Sequence, residues 1–347
     1  MNPSIAAYYG TTAIYWSAVI IVLGVAAGFL LSYSIYTAHS GRGTAMLVLL
    51  PFTLFIGVLL SRAVHFYCNQ EQYGGLWQAM TEYSSGSFWL PGAVLAVLPA
   101  ALIVKAARIT DNAGEMLDAA APGMALTAAM IRFSALFSTS CRSMFQVKAR
   151  AFQKYPFASA DVDAAGNTSY HFASFYILGI LMLLVMLLSV IFYYRHHADR
   201  MKEPCKRRGN VARLTFVLFC ACELVLDSTR ADSTYMLFSV LQFLNKYASF
   251  ISLTQLFCAI GMLWTMICYS RYSARANGKK RIQTVLWGIY LAGLVGTGIS
   301  EYLVQRYTNK ALLCYALQSI AVLASAAAIF IMYGTCRAGK NSGEEEF

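Results

Sequence analysis

Long apolar runs alternate with short polar and basic segments along the whole chain. Nine runs approach or exceed the ~20 residues that span a bilayer core. They cover about 12–36, 45–66, 88–107, 119–140, 172–194, 211–228, 247–270, 284–304 and 311–334. The pattern predicts an all-α polytopic membrane protein, because a helix satisfies its own backbone in lipid. The fourth and sixth runs carry small and polar residues, which suits a helix enclosed by others better than one facing lipid. Met1 to Thr12 contain no Lys or Arg and lack the basic region of a signal peptide, so the first span is expected to be retained.

Composition agrees. The 347 residues are 58% hydrophobic and only 12% charged, against roughly 25% charged in soluble domains. The net charge of +11 is arranged by loop rather than as a nucleic-acid footprint. Of the 27 Lys and Arg, seventeen fall on one set of alternate loops and eight on the other, with Arg62 and Arg132 inside spans. The richer loops are expected inside, which puts the N-terminus outside and the C-terminus in the cytoplasm. The basic block from Arg195 to Arg213 also suits an anionic inner leaflet.

Two outer segments exceed simple turns. Residues 68–87 are polar and aromatic, and 141–170 are expected to form an extracytoplasmic cap. The tail, 336–347, ends in acidic residues and is expected to be cytoplasmic. The nine cysteines form no metal pattern and read mainly as small buried hydrophobes. Cys68 and Cys141 share the outer face, where a disulfide between them is one alternative.

Ionisable and polar side chains within spans are costly, which makes them candidates for function. Arg132 lies in an apolar stretch, roughly 12 Å along the helix from its outer end. A guanidinium stays charged there, so it must meet a partner, water or an anion. Pro122 precedes it by ten residues, and Asp118 lies four before that; this pair also suits a helix start. Arg62 and His65 share one helix face near the outer end, where headgroup snorkelling and ligand binding explain them equally well. His171 begins the fifth run. Glu223, Asp227 and Arg230 share a face of the sixth helix. A buried ion network and a phosphate site account for these residues about equally.

Taken in order, these residues resemble the prolipoprotein diacylglyceryl transferase family. Asp118-x-x-x-Pro122 followed by Arg132 matches the spacing of that family's D-x-x-A-P…R signature. Ser61-Arg62-Ala63-Val64-His65 resembles A-R-x-x-Y, and Gly86-Ser87-Phe88-Trp89 resembles part of G-M-S-F-H-G-G. The stretch from Tyr170 and His171 to Tyr176 resembles R-H-P-x-Q-L-Y. Glu223 to Arg230 resembles R-F-x-x-E-x-x-R, and Ser252 to Gln255 resembles T-M-G-Q. The resemblance implies a seven-helix diacylglyceryl-transferase-like core over 1–270. Two further transmembrane helices follow within 271–335.

It also implies a chemistry: phosphatidylglycerol or another anionic phospholipid bound in a bacterial plasma membrane, and transfer of its diacylglyceryl group to a lipobox cysteine thiol. Partners would be that lipid and a prolipoprotein signal peptide. No metal or organic cofactor is implied. Arg132, His171 and Glu223 stand as catalytic candidates, with Arg62, Arg230, Asp227, Gln255 and Tyr176 binding substrate, and Asp118 and Pro122 structural.

The departures are specific. Trp89 stands where the family has a histidine, Glu223 where it has an arginine, and Ala135 and Ser140 where it has Asn and Glu. They leave open an alternative, a non-catalytic lipid- or lipopeptide-binding protein on the same scaffold. A small-solute transporter lacks support, since the chain has no internal repeat and no paired broken helices.

Overall fold

The fold is described from a computed structural model. It describes residues 5–9, 12–40, 43–68, 73–81, 89–110, 112–137, 143, 145–154, 156–162, 166–202, 209–229, 251–277, 281–307 and 310–338. A hairpin of β1 (Ile5–Tyr9) and β2 (Thr12–Tyr15) leads into α1 (Trp16–Ser40) and α2 (Thr44–Cys68). The short α3 (Leu76–Thr81) precedes α4 (Leu90–Ala106) and α5 (Ala113–Ser134). A second hairpin, β3 (Ala158–Val162) with β4 (Thr168–Phe172), leads to α6 (Ser174–Lys202) and α7 (Asn210–Leu226). The last three are α8 (Leu253–Asn277), α9 (Arg281–Arg306) and α10 (Ala311–Ala338).

Each of the nine predicted spans meets a helix. Among the described residues seven helices are long and apolar enough to cross a membrane. The third and sixth spans fall short of that length, because α4 and α7 have 17 residues each, about 25 Å of helix. The fourth run, with its small and polar residues, is the most enclosed of the seven: 56% of its span is buried, against 22% in α1. Its mean hydropathy of 1.4 suffices there because other helices, rather than lipid, surround it. The two hairpins were not legible in the apolar pattern, which registers only long runs.

The described residues cluster into two compact units. The first runs to Thr215 and includes Thr229; the second holds Phe216–Ser228 and the described residues from 251 onward. In the first unit α5 packs between α1 and α6, and α2 packs on α4. Small residues allow the α1–α5 contact. A Cβ on Gly123 would overlap the carbonyl oxygen of Gly28 and the hydroxyl of Ser32. Ser32 Oγ also donates to the carbonyls of Gly28 and Ala120, at 2.9 and 3.3 Å. Below this crossing Ile35, Met46, Leu49, Val104, Met116 and Tyr193 form one buried core. In the second unit α9 and α10 form an antiparallel pair against α8.

Asp118 and Pro122 do not start a helix, since α5 begins earlier at Ala113. Asp118 instead caps α7. Its Oδ2 accepts the N–H of Gly209 at 2.7 Å and its Oδ1 that of Ala212 at 2.9 Å. Gly209 holds φ at 88°, a conformation glycine adopts without a Cβ penalty, in the turn that brings its N–H to the carboxylate. A carboxylate at a helix N-terminus satisfies orphan donors and faces the positive end of the dipole.

Candidate functional site

In the first unit an apolar cavity of about 350 Å3 lies among α1, α2, α4 and α5. Its size falls in the range of small-molecule pockets, about 300–1,000 Å3. Along α5 the lining runs from Ala120 to Ile131, about 16 Å of helix. Ser61, Leu90 and Ile131 line one end; Ser32, Met46 and Ala120 line the other. The few polar lining groups are largely committed: Ser61 Oγ donates to the Trp89 carbonyl at 2.8 Å, and Thr127 Oγ1 to the carbonyls of Gly24 and Gly123. The slot therefore suits a long apolar chain.

Two arginines follow lining residues by one position. Arg132, after Ile131, sits in the last turn of α5 and is buried. Tyr176, in the first turn of α6, sets its ring edge against Phe133, the neighbour of Arg132, with centroids 5.4 Å apart. The end of α5 and the start of α6 thus set Tyr176 against Phe133, the residue next to the signature arginine. Arg62, after Ser61, is fully buried. Its Nε donates to the Ala79 carbonyl of α3 at 2.9 Å, and one terminal nitrogen reaches the same oxygen. His65 Nε2 lies 3.0 Å from the Tyr73 hydroxyl. Neither side chain snorkels; both are folded beneath the segment 73–81 and hold it down.

His171 is not on a transmembrane helix. It lies on β4, paired with Ser159 and bridged to Gln146. Its Nδ1 is 3.1 Å from the Ser143 carbonyl and its Nε2 is 3.2 Å from Ser169 Oγ. A carbonyl only accepts, so Nδ1 carries a hydrogen toward Ser143.

The second unit gathers the other candidates. Glu223 and Asp227 are buried. Asp227 Oδ2 accepts the Ser252 hydroxyl at 2.7 Å. Ser252 and Gln255 form a capping box at the start of α8. The Gln255 N–H donates to Ser252 Oγ at 3.1 Å, and the Ser252 N–H to Gln255 Oε1 at 3.0 Å. Gln255 Nε2 then reaches the Leu224 carbonyl at 3.3 Å and Glu301 Oε2 at 3.0 Å. Gln318 Nε2 makes the same two contacts, at 3.5 and 2.8 Å.

Sequence reasoning passed over Glu301 and Gln318, although an acid inside the eighth run was a visible signal. It also passed over the Ser-x-x-Gln capping pattern and the repeat Gly24-x-x-x-Gly28-x-x-x-Ser32 that shapes the α1–α5 contact. Arg230, Cys141 and Gly86–Phe88 lie outside the described residues. Among the described residues no His, Cys, Asp and Glu group fits a metal ion.

The family model of prolipoprotein diacylglyceryl transferase matches residues 3–271. The chain belongs to this family. It is a multi-pass membrane member of the prolipoprotein diacylglyceryl transferases, with α9 and α10 beyond the matched region. No curated protein matches the chain. The matched region contains α1 to α7, the cavity and the signature arginine, and it ends within α8.

Proposed function

We propose that this member of the prolipoprotein diacylglyceryl transferase family binds phosphatidylglycerol and transfers its diacylglyceryl group to a lipobox cysteine thiol. The observation that carries this reading is the apolar slot whose one end is lined by Ser61 and Ile131, the residues just before Arg62 and Arg132. An acyl chain would occupy the slot, and Arg132 would hold the phosphate, which a guanidinium fork matches.

In the reaction the thiol sulfur forms a bond to the terminal glycerol carbon of the diacylglyceryl group. The bond from that carbon to the phosphate oxygen breaks, and glycerol phosphate leaves with its electron pair. Arg132 offsets charge on the departing phosphate. A base takes the thiol proton, with His171 and Glu223 as the candidates; Arg62, Arg230, Asp227, Gln255 and Tyr176 would shape the substrate site. The orientation we propose places the N-terminus outside a bacterial plasma membrane and the C-terminus in the cytoplasm, from the bias of Lys and Arg among the loops.

A second reading, a lipid- or lipopeptide-binding protein without transfer, has its own support. His171 is engaged at both ring nitrogens, by the Ser143 carbonyl and the Ser169 hydroxyl, and Glu223 is fully buried. The deciding experiment incubates the purified protein with labelled phosphatidylglycerol and a lipobox peptide. Thioether product above the protein-free control is the expected result. No product, with phosphatidylglycerol still bound, would replace the first reading by the second.

A further inference from the structure

The end of α7 is completed by α8 together with the two helices that follow the family match. Leu224 lies in its last turn, where carbonyls lack a regular intrahelical donor. Its oxygen receives Gln255 Nε2 from α8 and Gln318 Nε2 from α10. A primary amide has two hydrogens, and each of these amides sends its second contact to Glu301 Oε2. Two acceptors therefore each serve both amides, and the four contacts close into a ring. Gln255, Glu301 and Gln318 are all buried, so a donor lost from this ring would have no water to turn to. The ring bears on the segment between Glu223 and Asp227, and Gln255 also belongs to the capping box that holds Asp227 through Ser252.

We propose that Glu301 is a positioning residue: its carboxylate orients Gln255 and Gln318 so that they pin the Leu224 carbonyl and fix the end of the motif helix. The two helices beyond the family match thereby frame the segment that carries Glu223 and Asp227. The functional half of this inference rests on the transferase reading above; the structural half does not.

The test uses the full chain in phosphatidylglycerol nanodiscs and compares wild type with Glu301→Leu, Glu301→Gln and Gln318→Leu. Hydrogen exchange is read over residues 223–229, alongside diacylglyceryl transfer. Glu301→Leu is expected to speed exchange there by about tenfold and to lower turnover about tenfold. Glu301→Gln is expected to restore both, because its carbonyl oxygen still accepts both amides in the place of Oε2. Gln318→Leu is expected to fall between, and it serves in place of Glu301→Leu if that variant does not fold.

Unchanged exchange at 223–229 in Glu301→Leu overturns the inference, as does failure of Glu301→Gln to restore it. So does faster exchange spread evenly over α9 and α10, which a general loss of packing would give. Wild-type protein without transfer would overturn the transferase reading, and the exchange data would still decide the role of Glu301.

Discussion

Asp118 on α5 accepts the backbone N–H of Gly209, ninety-one positions later, at 2.7 Å. The same carboxylate takes the N–H of Ala212. The aspartate of the signature is thus spent on starting α7, the helix that carries Glu223. Asp118→Ala should remove about 2 kcal/mol of stability, the scale of a lost cap with charged hydrogen bonds. Thermal unfolding in detergent checks this, and an unchanged midpoint would mean the cap contributes nothing.

The crossing of α1 and α5 predicts that bulk at Gly123 is costly. A Cβ there meets the Gly28 carbonyl as well as the Ser32 hydroxyl of the facing helix, and the backbone cannot swing aside as a side chain can. Gly123→Ala should destabilise by about 1–3 kcal/mol, the range for overpacked cores. The same substitution at Gly288, where a Cβ meets nothing within 4 Å, should be nearly neutral and serves as the control in the same unfolding measurement.

Filling the slot should displace lipid without harming the fold. Val94 lines the cavity and is half-buried. Val94→Trp should lower the phosphatidylglycerol that copurifies with the protein by about tenfold, the equivalent of ~1.4 kcal/mol of lost apolar contact. Mass spectrometry of the bound lipid gives the answer; an undiminished content in folded protein would take the acyl chain out of this cavity.

Arg132 provides a charge test. Arg132→Ala should weaken phosphatidylglycerol binding by about 10–100-fold, the range for hydrogen bonds to a charged group. Lys at this position should recover part of the loss, since it keeps the charge without the fork. If phosphatidylglycerol and phosphatidylcholine bind the Ala variant as they bind wild type, Arg132 does not meet the phosphate.

For His171 the two functional readings separate. A general base contributes about 10²–10⁴ in rate. His171→Gln should therefore lower transfer by at least about 10² with lipid binding intact if the ring takes the thiol proton. Transfer close to wild type would leave His171 as a part of the hairpin alone, joined to Ser143 and Ser169.

Much of the fold was legible in the chain because lipid leaves few options. Nine apolar runs predicted nine helices, and each run met one. What the runs did not register was length at the margins and anything shorter than a span, so α4 and α7 came out short and both hairpins went unread. The site was legible in part. Arg132 stood out because a charge in an apolar run needs a reason, and the family spacing gave one. His171 reads as the start of the fifth span because Tyr170–Tyr176 continues into an apolar run; the strand before Ser174 is set by pairing with 158–162, which is non-local. The capping pattern of Ser252 and Gln255 was present in four letters, but the contacts of Gln255 with Leu224 and Glu301 are non-local.

The sequence by itself determined that this is a polytopic helical membrane protein, because composition and run length alone settle how a chain satisfies its backbone in lipid. Through its ordered motifs it also pointed to the family. Only the tertiary structure decided which polar residues serve the fold. Asp118 caps a distant helix, Arg62 clasps α3, and Glu301 joins Gln255 and Gln318 over one carbonyl. The reason is physical: a buried polar group is defined by the partner that satisfies it, and those partners lie tens of residues away in the chain.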